Sequence, residues 1–183
     1  MQNEFYDIVY IGNYTKDTIT SPAGTRYVDG GGAHYAAYAA ARLGKRVAVV
    51  THLAAAAATV SWVAVEWIHR GKPTTLGAAS GCVAGLVAIT PACGFVGPMS
   101  ALMIGLIAGA VCYTAVSLKP KFGYDDALDV VGVHCVGGVW GALATGLFAS
   151  KLINEAGNNG LFFGNGAQLG VQALSVVVVS DGG

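Results

Sequence analysis

The 183-residue chain is 54% hydrophobic and only 11% charged, with a mean hydropathy of +0.58. Soluble domains carry about 25% charged residues, so this composition argues against an ordinary soluble fold. Ten basic side chains balance ten acidic ones, which argues against a nucleic-acid or polyphosphate partner held by bulk charge. The whole-chain averages conceal two different stretches. Residues 1–52 hold nine of the twenty charged side chains and the remaining 131 residues hold eleven.

In chain order, Phe5–Ile11 alternates and is rich in Ile, Val and Tyr, which predicts a strand. No basic region precedes it, so no signal peptide is predicted. Thr18–Val28, with Pro22 and Gly24, reads as turn-rich. Gly30-Gly31-Gly32 then opens an alanine-rich helix, His34–Leu43, closed by Gly44. Arg46–His52 predicts a second strand, giving a βαβ-like beginning. A triple glycine before a helix can seat a phosphate, although neither GxGxxG nor GxxxxGK[ST] spacing is present.

The segments IGNYTKD and DGGGAHYAAYAAARLGKRVAVVT resemble the N-terminus of ribokinase-like carbohydrate kinases. That resemblance implies sugar contact by Asp17 and hinge glycines at Gly30 and Gly31. Tyr35 stands where those kinases usually carry Asn, and their downstream catalytic Asp with its glycine-rich anion hole has no counterpart. A working kinase is therefore not expected, and residues 1–53 are taken as a kinase-like βαβ fragment.

Beyond it, Pro73–Leu118 runs 46 residues and Val130–Ser150 runs 21 without Asp, Glu, Lys or Arg. A helix needs about 20 apolar residues to cross a bilayer. Four segments are predicted at Ala54–His69, Leu76–Phe95, Met99–Leu118 and Leu128–Ala149, and Ala167–Val179 begins a fifth. Glu66 precedes Arg70 by four residues, a spacing that predicts an ion pair at the membrane edge. The four cysteines form no CxxC motif and read as small apolar core residues, with neither disulfide nor zinc expected. Gly77, Gly81 and Gly85, and likewise Gly105 and Gly109, recur every four residues and predict close helix–helix approach.

Arg70 and Lys72 follow the first segment, Lys119 and Lys121 the third, while the opposite side has Lys151. The positive-inside rule places the four-residue side in the cytoplasm. Residues just before Ala54 then fall outside the cell, where a kinase-like piece does not belong. This conflict predicts a chimera joined near His52–Thr59.

His134 stands about two turns inside the fourth segment, with Gly137, Gly138, Gly141 and Thr145 assigned to its face and Val130 and Val131 below. Such a residue faces another helix or a cavity. It either makes an interhelical hydrogen bond or marks a functional site. No second ligand lies at metal spacing, so no metal is expected.

The runs RGKPTTLGAASGCVAGLVAITPACGFVGP and KFGYDDALDVVGVHCVGGVWGALATGLFA are similar to the C-terminal half of the ammonium transporter family, over about Thr59–Val179. In that family two inverted halves enclose a narrow apolar pore with a pair of histidines at its middle, and three protomers assemble. The resemblance makes His134 one of those two histidines and Val130 part of the cytoplasmic exit. It implies ammonium or ammonia as substrate, membrane lipid as surroundings, a homotrimer, and a PII-type regulator at the cytoplasmic loops of some members. The expectation is thus a mainly α, polytopic transmembrane bundle fragment of four to five spans (residues 54–183) in the inner or plasma membrane. It is a multi-pass transporter fragment, not an enzyme, without cofactor or nucleic-acid partner. Because the first pore histidine belongs to the other half, this chain alone is not expected to conduct. The alternatives are a kinase fragment and a non-functional fusion product.

Overall fold

The computed structural model describes residues 8–10, 15–21, 24–30, 47–49, 51–123 and 125–181. It divides into two compact units, Met1–Val50 and Thr51–Gly183.

In the first unit, Ile8–Tyr10 (β1) pairs in parallel with Val47–Val49 (β4), Ile8 opposite Val47 and Tyr10 opposite Val49. A parallel pair needs a crossover connection. The helix expected over His34–Leu43 lies outside the described residues, as does Gly31. The turn-rich reading of Thr18–Val28 is corrected. Thr15–Ser21 (β2) and Gly24–Gly30 (β3) form an antiparallel pair, Asp17 opposite Val28 and Gly30 opposite Thr15. Thr15, Thr18, Ile19 and Thr20 on one side and Thr25, Tyr27 and Val28 on the other are strand formers. They outweigh the turn signals, which belong to the connection between Ser21 and Gly24. The second strand is also shorter than Arg46–His52, because Thr51 and His52 already begin a helix.

The second unit is a helical bundle. Thr51–Arg70 (α1) has 20 residues, enough at 1.5 Å per residue to cross about 30 Å of hydrocarbon. It is longer at both ends than the expected Ala54–His69. Thr75–Ile89 (α2) begins at Thr74, whose hydroxyl accepts the Gly77 N–H at 2.9 Å. It stops short of the expected Phe95 because Pro91 has no N–H to continue the ladder, and Thr90–Phe95 closes into turns. Pro98–Phe122 (α3) has 25 residues, with Pro98 pre-set for its first turn and Gly123, at φ 68°, ending it. Val131–Phe148 (α4) opens as a single π-helical turn over Val131–Cys135 and continues as α-helix. After the short 3₁₀ turn Leu161–Phe163, Gly166–Asp181 (α5) packs on α4. α3 and α4 are both apolar and long enough to cross a membrane.

Small residues decide the packing, as their spacing predicts. Helix α1 lies against both α2 and α3, and its Ala54 and Ala58 are fully buried. A Cβ at Gly85 would stand 2.5 Å from the Ala54 carbonyl oxygen, and one at Gly81 would stand 2.7 Å from Trp62 Cβ. From α3, Cβ atoms at Gly105 and Gly109 would run into the carbonyl oxygens of Ala54 and Ala58 respectively. Each carbonyl is backbone and cannot swing aside, so glycine is required there. In a bilayer, where lipid is as apolar as the helix surface, such close contact is what associates helices. Helix α4 docks by the same rule, with Gly141 against the Ala88 carbonyl, and Trp140 Nε1 donates to the Ile104 carbonyl of α3 at 3.0 Å.

Two further polar contacts close the bundle. Glu66 is 3% exposed and makes none of the expected Arg70 ion pair. Its carboxylate instead accepts the Thr74 N–H at 3.1 Å and the Thr74 hydroxyl at 3.0 Å. Four residues along a helix do bring side chains together, but the N-terminus of α2 offers Glu66 donors in a buried position. At the other end of the bundle, Ser150 N–H donates to the Phe95 carbonyl at 2.9 Å.

Candidate functional site

The site is built on the first turns of α4. Asp126 prepares the start: its two carboxylate oxygens accept the Val130 and Val131 N–H groups, each at 2.8 Å. This satisfies donors that a helix N-terminus leaves open and places negative charge at the positive end of the helix dipole. Asp129, in the left-handed region at φ 54°, is held by Lys119 of α3, whose ammonium group reaches Asp129 Oδ1 at 2.5 Å and the Asp126 carbonyl at 2.8 Å. Lys119 and the two aspartates thus fasten the end of α3 to the beginning of α4.

From that clamp the π turn buries two of its five residues. Gly132 and Val133 are buried; a Cβ at Gly132 would meet the Val116 side chain, and Val133 is 4% exposed. Val130, Val131, His134 and Cys135 are exposed. Among the described residues the His134 ring has no hydrogen-bond partner. π turns recur at functional sites because the extra residue re-aims side chains.

The glycine-rich face assigned to His134 is therefore corrected. Gly137, Gly141 and Thr145 are buried and pack inward, Gly137 near Val87 and Cys112, and the Thr145 hydroxyl donating to the Gly141 carbonyl at 2.9 Å. Gly138 stays with His134 on the open side, where an added Cβ would meet nothing within 4 Å. The wider π turn displaces His134 from the register that α-helical spacing assumes.

The cysteines follow the sequence expectation only in part. Cys93 and Cys112 are buried, Cys82 is half-buried and Cys135 is exposed beside His134. Among the described residues no group of three His, Cys, Asp or Glu is arranged to hold a metal. Sequence reasoning missed Asp126 and Asp129; an acidic residue just before an apolar run is the capping signal that marks them. Of the kinase-derived positions, Asp17 lies in β2 and Gly30 ends β3, separated across the hairpin by its register, and Gly31 is outside the described residues.

The second unit is a helical bundle in which α3 and α4 are long and apolar enough to cross a membrane, and at the start of α4 His134 stands exposed outside the buried core. The chain matches the Ammonium Transporter Family over residues 30–180 and belongs to that family. It is 56% identical over 127 residues to an ammonium transporter of Bacillus subtilis, covering 69% of this chain and 31% of that one. A putative ammonium transporter of Methanothermobacter thermautotrophicus is 46% identical over 146 residues, covering 79% and 36%. The crystal structure of Saccharomyces cerevisiae Mep2 superposes with a TM-score of 0.67 at 39% identity, covering 70% of this chain and 30% of that chain. The chain spans about a third of the length of the curated relatives it matches. The family match takes in residues 30–53, which the sequence reading gave to a kinase-like piece. The kinase resemblance and the chimera find no support in these comparisons.

Proposed function

We propose that Thr51–Asp181 forms one wall of an ammonium-conducting pore and that His134 is the residue of this wall that meets the substrate. The observation that carries the proposal is the exposed imidazole on the π turn of α4, unpartnered among the described residues, inside a run from Val130 to Ser150 without a charged residue. An imidazole left against lipid is costly; the same group facing a second wall across a narrow gap is a proton donor and acceptor. Val130, about one turn below and exposed, lines the exit in this reading, and the apolar side chains around both strip water from the substrate. The named relatives are ammonium transporters, which supports ammonium or ammonia as the transported species.

In this reading the ends of α1 and α3 face the cytoplasm. Their basic residues share one end of the bundle, because His69 of α1 hydrogen-bonds the Tyr113 hydroxyl of α3 at 2.7 Å and Lys119 ties α3 to α4. Arg70, Lys72, Lys119 and Lys121 then sit inside, as the distribution of basic residues requires. The family membership supports a reading with a multi-pass location in the cell membrane, a homotrimer, and a PII-type regulator meeting the same cytoplasmic loops.

The test replaces the matching segment of the Bacillus subtilis relative by residues 51–181 and measures methylammonium uptake in a host without its own transporters. Uptake by the hybrid, and none by this chain alone, is the expected result. Membrane insertion of the hybrid without uptake overturns the proposal.

A further inference from the structure

Glycine inside a helix destabilises it relative to alanine, so a glycine held there calls for a packing or functional reason. Within α2 to α5 the packing reason is visible at every glycine except Gly138 and Gly170. At each of the others an added Cβ would come within 3.3 Å of a neighbouring atom. At these two it would meet nothing within 4 Å among the described residues. Gly170 follows Leu169, which packs on Gly146, twelve residues and about 18 Å along α4 from His134. Gly138 is four residues from His134, on the same open side of α4.

In a helix the Cα–Cβ bond tilts toward the N-terminus, so a side chain at position 138 would lie over the preceding turn, beside the imidazole. The helix has no room to withdraw from such a group. On its packed side Gly137 stands near Val87 and Cys112, Gly141 abuts the Ala88 carbonyl, and Trp140 is hydrogen-bonded to the Ile104 carbonyl. A methyl group at position 138 therefore projects into the space in front of His134. We infer that Gly138 sets the size limit of the transported species, its missing side chain leaving room beside the imidazole for an N-methyl group. The inference rests on the reading of His134 as the residue that meets the substrate. A methyl is both the side chain of alanine and the group that methylammonium adds to ammonium. Alanine at this position thus fills the space that the larger ion needs and leaves that of the smaller one. A site without room for one extra carbon discriminates by about 10–200-fold.

The hybrid transporter carrying residues 51–181 is assayed for uptake of labelled ammonium and of labelled methylammonium, each normalised to membrane abundance. Gly138→Ala should keep ammonium uptake within about twofold and lower methylammonium uptake by about tenfold or more. Gly138→Ser, of similar bulk and different chemistry, should shift the ratio of the two rates in the same direction, and Gly138→Val should stop both ions. Gly170→Ala, the same change in equally open surroundings, should leave both rates unchanged. Equal losses of the two ions in Gly138→Ala overturn the inference in favour of a helix contact at this glycine, as does failure of the variant to reach the membrane. Undiminished methylammonium uptake by Gly138→Ala also overturns it. Absence of uptake by the unsubstituted hybrid overturns the pore reading itself, whereas an unaltered ratio in a hybrid that transports overturns the size limit alone.

Discussion

Replacing Gly109 by Ala tests the packing that holds the pore wall together. A Cβ at Gly109 would collide with the Ala58 carbonyl oxygen and stand 3.0 Å from both the Ala58 carbonyl carbon and Cα. Carbon atoms prefer about 3.5–4.0 Å, so α3 must withdraw from α1 by roughly half an ångström to one ångström. The withdrawal also loosens Gly105 against Ala54, four residues away on the same ridge. Overpacking of this kind costs about 1–3 kcal/mol, and the better helix propensity of Ala returns up to about 1 kcal/mol. A net loss of roughly 1–2 kcal/mol is expected. Gly170→Ala in α5 supplies the comparison, since a Cβ there meets nothing within 4 Å and only the propensity gain applies. Reversible unfolding in mixed micelles, followed by circular dichroism, measures both. If Gly109→Ala is as stable as Gly170→Ala, the close approach of α1 and α3 is wrong.

Two other substitutions probe the polar contacts. Glu66→Ala strands the Thr74 N–H and hydroxyl at the start of α2, and two hydrogen bonds to a buried charged acceptor are together worth about 3 kcal/mol or more. The same unfolding assay should register that loss, whereas Arg70→Ala should have little effect; equal losses would restore the ion pair expected from sequence. Asp126→Ala removes the acceptor of the Val130 and Val131 N–H groups and should cost about 1–2 kcal/mol. It should also lower methylammonium uptake by the hybrid transporter. Unchanged stability and uptake would show that the cap does not position the π turn.

Much of this bundle is legible in the sequence because its causes are local. The uncharged runs give the spans, and the four-residue glycine spacing gives the α1–α2 and α1–α3 contacts. Pro91 and Pro98 mark where α2 cannot continue and α3 can start. What escaped depends on partners distant in sequence or on register. Helical spacing pairs Glu66 with its neighbour Arg70, but a buried N-terminus eight residues on offers it better donors. Counting 3.6 residues per turn puts His134 on the face of Gly137 and Gly141, which are buried where His134, on a π turn, is exposed. The hairpin β2–β3 escapes because Pro22 and Gly24 signal turns locally, while the strand signal of the β-branched residues around them depends on their pairing. The kinase resemblance of residues 5–53 rests on the two segments IGNYTKD and DGGGAHYAAYAAARLGKRVAVVT, and the family match from residue 30 takes in most of the second.

The central claim is that His134 meets the substrate from the open face of α4. Its most direct test is the initial rate of methylammonium uptake by the hybrid transporter with His134→Ala, beside Cys135→Ala as a neighbour on the same exposed turn. The account predicts that His134→Ala loses most of the uptake at unchanged membrane abundance, while Cys135→Ala retains it. Full uptake by His134→Ala would contradict the account and leave the histidine as an exposed residue outside the path.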